Sequence, residues 1–191
     1  TAPGLYRVRH DTYRGLVYIG ETGRSLRGRV RALARGIVDS EMPYSDPHTA
    51  SPSLWAVLDR HGGAAEVSTT APPVATDTRQ RKAVEDALIA VHRRDTETNL
   101  IGNFGRMPPG YAKSSQRSRG VRGGPDPDAA RSFREGADPL PWTNAAEPTA
   151  NDWMGLPWSA PIRLSNSTNR PPSHDGVYRL WHPGTAPQLE Y

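Results

Sequence analysis

Two short runs near the start of the chain limit what it can fold into. Residues 5–10 alternate, with Leu5, Arg7 and Arg9 on one face and Tyr6, Val8 and His10 on the other. Residues 16–19 form a second apolar run beyond a polar connection at 11–15. Alternation of period two on both sides of a short polar link predicts a β-hairpin. Gly4 and Gly20 stand at its outer ends, where strand-end geometry or close backbone approach favours glycine. Tyr6 and Tyr18 then lie side by side across a ladder whose strands are about 5 Å apart. By pattern alone they are packing residues of a small sheet.

Residues 25–106 supply elements against which such a sheet can bury a face. A helix is expected over 25–36, capped by Thr22 or Ser25 and ended by Gly36, with Leu26, Val30, Leu33 and Ile37 on one stripe. Arg24, Arg27, Arg31 and Arg35 fall on or near its other faces, and Arg29 sits at the border of the stripe. Residues 39–50 read as a loop. Ser51 and Pro52 open a second helix that His61, Gly62 and Gly63 stop, and a third strand is expected over 65–70. The longest helix is expected over 76–94, where Ala83, Val84, Ala87, Leu88 and Val91 repeat with helical period. Glu85 lies at the edge of that stripe, and Asp86 points further toward solvent. His48 in the loop and His61 at a helix end read as structural or solvated rather than as metal ligands.

Read together, these residues resemble the GIY-YIG endonuclease family. The resemblance is carried by Gly4-Leu5-Tyr6, by Tyr18-Ile19-Gly20, and by the arginine-bearing run from Glu21 to Leu33 that follows. It covers residues 3–106. It implies an α/β (α+β) fold with a small three-stranded, mostly antiparallel sheet flanked by helices. It implies a metal-dependent endonuclease acting on DNA phosphodiester bonds with one Mg²⁺ or Mn²⁺, in restriction, defence or repair. Tyr6, with Tyr18 beside it, would orient and deprotonate a water. Arg29, with Arg27 as the alternative, would clamp the phosphate. Glu85 would bind the metal, and Asn103, with Asn99 as the alternative, would close the site. Two departures matter: Glu21 stands where some members carry a lysine, and Leu33 where others carry a histidine. A non-catalytic nucleic-acid-binding module of the same fold is the main alternative. A scaffold that recruits a protein through its tryptophans is a third reading.

Composition bears on the remainder. The 18 Gly and 19 Pro among 191 residues, with a mean hydropathy of −0.69, point to long irregular stretches. The chain has no Cys, which excludes disulfides and thiolate metal sites and is compatible with a bacterial cytoplasm. No apolar run reaches membrane-spanning length, so no membrane partner is expected. The net charge is +4, and it is unevenly placed: Arg106, Lys113, Arg117, Arg119 and Arg122 lie in 105–124 without an acid. That segment, with Arg24, Arg27 and Arg31, is the expected phosphate-binding footprint. Three regions follow: a nuclease-like domain at 1–106, a basic and Trp-containing linker or arm at 107–160, and a third region at 161–191. In the third, Gly176, Tyr178, Arg179 and His182 repeat Gly4, Tyr6, Arg7 and His10 in register, which reads as the truncated start of a second copy. A homo-oligomer or a second-domain partner is compatible with that repeat.

Overall fold

The structure, a computed structural model, describes residues 2–128, 141–160 and 177. The chain divides into two compact units, Thr1–Pro139 and Leu140–Tyr191. The expected second copy lies outside the described residues, apart from Val177.

The first unit is a mixed α/β fold. Strands β1 (Gly4–His10), β2 (Leu16–Thr22) and β3 (Ala65–Thr70) form one antiparallel sheet in the order β2-β1-β3. The expected hairpin is present, but its register differs in one respect. Tyr18 pairs with Val8 and Tyr6 pairs with Gly20, so the two tyrosines are diagonal neighbours rather than opposite each other. A bulge between Val8 and Arg9 contributes to this offset.

Helices α1 (Leu26–Ile37) and α2 (Ser51–His61) cover one face of the sheet, and α3 (Thr78–Thr96) covers the other. Ser25 caps α1 by accepting from the Gly28 amide, as expected. Tyr6, Val8, Val17 and Tyr18 meet Leu33 of α1 and Leu54 and Val57 of α2 in one buried cluster. On the opposite face Ile19 meets Ile89 of α3 and Leu100. Fully burying side chains of this kind contributes about 1.5–3 kcal/mol each.

Helix α3 is rotated relative to the expected stripe. Its buried residues are Arg81, Ile89 and His92, whereas Leu88 and Val91 are 43% and 42% exposed. The cause is polar anchoring. Arg81 forms a short ion pair with Glu21 of β2 and donates to the carbonyl of Ala75. The ring Nε2 of His92 accepts from the Leu16 amide at 2.8 Å. A buried charge or a strand N–H left without a partner costs more than the exposure of two aliphatic side chains. These contacts turn the 81-85-89-92 face inward, so Glu85 lies in the middle of the sheet-facing surface and not at its edge.

The boundary expected after residue 106 is not a boundary. Met107 and Tyr111 pack with Met42, Trp55 and Ala56 on α2 and the loop before it, and the Tyr111 hydroxyl donates to Asp59 at 2.8 Å. Strands β4 (Tyr111–Ala112) and β5 (Gly124–Pro125) form a small second ladder. The basic segment is thus built onto the first unit.

In the second unit, Trp153 and Trp158 pack on each other at 5.7 Å between ring centroids, and the Trp158 indole donates to the Trp153 carbonyl. Among the described residues no helix is long and apolar enough to cross a membrane.

Candidate active site

The site lies around the two hairpin tyrosines. Their rings approach to 5.7 Å, and both are buried. Gly20 makes this possible. A Cβ there would stand 2.5 Å from Tyr18 Cε1 and 2.7 Å from both the Tyr18 hydroxyl and Tyr6 Cζ. Gly4 is needed for a different reason, since a Cβ there would meet the Thr70 carbonyl oxygen of β3 at 2.4 Å. Gly20→Ala is therefore expected to separate the rings and to cost about 1–3 kcal/mol by overpacking. The urea midpoint measures this, and an unchanged midpoint would show that the rings have room to spare.

The hydroxyl of Tyr6 is hydrogen-bonded to His48, fully buried, with its Nε2 2.6 Å from the Tyr6 oxygen and its ring edge-on to both tyrosines. Tyr18 and the Arg29 charge act on the same hydroxyl and favour its ionised form. His48 Nδ1 accepts from the Ala50 amide at 3.2 Å, which leaves the proton of a neutral imidazole on Nε2. Burial, assisted by the Arg29 charge, pulls the His48 pKa down to about 3, so the ring is neutral and donates to Tyr6. A donor on the phenolic oxygen and a guanidinium charge nearby suit a phenolate better than a phenol. Burial nevertheless holds the Tyr6 pKa above its ordinary value, against the influence of Tyr18 and Arg29. Tyr18 is raised as well, first by burial and then by Tyr6 beside it.

Reading His48 as a structural or solvated loop residue missed this contact. Nothing in the spacing of residues 39–50 marks it. The loop that joins α1 to α2 carries His48 to the tyrosines, a tertiary contact across 42 residues.

Arg29 is placed by its loop contact, with Nη1 donating to the Pro47 carbonyl next to His48. Arg27, the alternative, is exposed on α1 and its charge does not figure among those acting on Tyr6, Tyr18 or His48. Glu85 acts electrostatically on both tyrosines, raising each. Its own pKa is pushed up to about 7, first by burial, then by the charges of Glu21 and Asp86. The backbone amide of Glu21 and the Lys82 ammonium only partly offset this. Glu21 is already paired with Arg81, which leaves Glu85 as the half-buried carboxylate here, and one hard divalent cation with its waters fits a donor of this kind. No group of three or more metal-ligating side chains occurs among the described residues.

Asn103 lies beside the tyrosines with its side-chain amide spent on the backbone of β2. Its Oδ1 accepts from the Ile19 amide at 3.1 Å and its Nδ2 donates to the Ile19 carbonyl at 2.8 Å. The Gly102 amide donates to the Val17 carbonyl at 2.8 Å. This segment completes the hydrogen bonding of β2, an edge strand, between Tyr18 and Gly20. Asn103 is accordingly a positioning residue. Asn99, the alternative, is half-buried.

The basic residues divide into two groups. Arg24, Arg27, Arg31 and Arg119 are exposed. Arg106 lies 5.1 Å from the Phe104 ring and donates to the Leu100 carbonyl, and burial lowers the pKa of Lys113. Arg117 and Arg122 both stack over Tyr44. The segment is thus partly spent on holding itself to the domain.

With this geometry in hand, the chain was compared with known proteins: no family model, no curated protein and no solved structure matches it.

Proposed function

We propose that the protein is a divalent-metal-dependent endonuclease that hydrolyses DNA phosphodiester bonds. The observation that carries this reading is the buried tyrosine pair, its rings 5.7 Å apart, with His48 hydrogen-bonded to Tyr6 and with Arg29 and Glu85 both acting electrostatically on the two hydroxyls. Tyr6 orients the attacking water and takes its proton, and the His48 donor and the Arg29 charge favour the phenolate that can do so. Arg29 keeps guanidinium donors for the non-bridging oxygens of the phosphate, where charge grows in the transition state. Glu85 would hold the Mg²⁺ or Mn²⁺ ion, which when bound supplies Lewis-acid charge at phosphoryl and leaving oxygens. As water attacks phosphorus, the bond to the 3′-oxygen breaks.

Incubation of the chain with supercoiled plasmid in Mg²⁺ or Mn²⁺ is expected to give nicked or linear product, and EDTA is expected to stop it. DNA binding with no product under either ion would reject catalysis in favour of a non-catalytic binding module.

A further inference from the structure

A second concave site lies beside the first and shares a wall with it. Its volume is about 420 Å³, within the range of about 300–1,000 Å³ common to ligand pockets. Arg35 of α1, Tyr44 and Pro47 of the α1–α2 loop, and Arg117 and Arg122 of the basic segment line it. Pro47 belongs to both sites, since its carbonyl accepts from Arg29. Along α1, Arg29, Ala32 and Gly36 fall on one stripe at i, i+3 and i+7, and the last two line the pocket. The pocket therefore continues the helix face that presents Arg29.

Its chemistry is specific. The guanidinium carbons of Arg117 and Arg122 lie 5.2 and 4.6 Å from the centroid of one tyrosine ring. The basic segment is held to the loop largely by other groups. The Arg117 amide donates to Asp46 at 2.6 Å, and the Ser45 amide donates to the Ser115 carbonyl at 3.1 Å. Arg122 reaches the Met42 carbonyl and Glu41. Neither the Arg35 side chain nor the Tyr44 ring figures in those hydrogen bonds. The three arginines stand among the carboxylates of Asp39 and Asp46, which also line the pocket, and the two guanidiniums layered on Tyr44 offer a planar platform to a base, with Arg35 placed to meet an attached phosphate. Arg29 and Arg35 are six residues apart on α1, about 9 Å along its axis. At the duplex rise of about 3.4 Å per step that is two or three nucleotides, and fewer in an unstacked strand.

We propose that this pocket takes an unpaired nucleotide of the DNA strand, within three steps of the phosphate that Arg29 holds, with its base on the arginine-covered Tyr44 and its phosphate on Arg35. The register rests on the nuclease reading, whereas occupancy of the pocket does not. The test uses the full chain carrying Glu85→Gln and a fluorescent twelve-nucleotide single strand. It is compared with strands in which one position at a time is abasic. One abasic position is expected to weaken binding about tenfold, the scale of one stacked base. Tyr44→Leu should erase that difference, and Arg35→Gln should weaken binding of every strand at least threefold. Arg35 takes no part in the contacts that hold the basic segment, so this second variant reports on the ligand even if Tyr44→Leu loosens the loop. Strand binding unchanged by Arg35→Gln, or an abasic effect that survives Tyr44→Leu, would overturn the proposal. Failure of plasmid cleavage alongside the expected strand binding would count against the nuclease reading and leave the pocket standing.

Discussion

Glu85→Gln is expected to lower DNA cleavage by at least about 10²-fold while making the folded chain more stable above neutral pH. The first effect follows from the proposed role. A bound divalent ion contributes several kcal/mol of transition-state charge stabilisation, and each 1.36 kcal/mol is a factor of about ten. The second follows from linkage. The carboxyl of Glu85 ionises at about 7 in the folded chain against 4.5 ordinarily. Between these values the folded state binds the extra proton, so this group makes stability fall as pH rises through the window. Above pH 7 the full penalty is present, and below 4.5 it is absent. Complete conversion of the shift would give about 3.4 kcal/mol, and solvent screening of a half-buried group reduces this to roughly 1–2 kcal/mol. The Gln variant should therefore match the wild type near pH 4 and exceed it by that amount at pH 8 in urea unfolding. Mg²⁺ at ten times its dissociation constant should stabilise the wild type by about 1.4 kcal/mol and the variant not at all. Cleavage above a tenth of the wild-type rate, or equal stabilisation of both chains by Mg²⁺, would remove Glu85 from the metal site.

Tyr6→Phe is expected to slow the chemical step by about 10²-fold or more, the scale of a lost general base. Tyr18→Phe and His48→Leu should cost less, about tenfold each, because these residues act through Tyr6. The pH profile separates the roles. Burial raises the Tyr6 pKa, so at neutral pH the hydroxyl is mostly protonated and the phenolate fraction grows tenfold per unit. Single-turnover cleavage by the wild type should climb with pH across that range, and the Tyr6→Phe residual rate should be flatter. His48→Leu removes a donor from the phenolate, so its climb should be displaced to higher pH. If Tyr18→Phe proves the more damaging change, the two tyrosines have exchanged roles.

How much of this was legible in the residues depends on how local each cause is. The hairpin, the Ser25 cap and the third strand follow from period and turn chemistry within a few residues of themselves, and each is present. Gly4 and Gly20 were legible as glycines at strand ends, but the rings that crowd Gly20 are a tertiary fact. The edge of α3 was misjudged because its apolar spacing was taken to be its buried face. Arg81 and His92 turned it, through partners on β2 that lie 60 and 76 residues away in the chain.

What the sequence determined alone was the set of short-range elements and the residue types available at the site: two tyrosines on a hairpin, an arginine on the next helix and a glutamate on a later one. What only the tertiary structure decided was which of their neighbours act with them. His48 reaches Tyr6 across 42 residues, Asn103 reaches the backbone of Ile19 across 84, and the basic segment returns to Tyr44. Each is a side chain satisfied by a group distant in sequence. Such a pairing leaves no periodic trace, because the need to hydrogen-bond or neutralise a buried group acts only once the layers have closed around it.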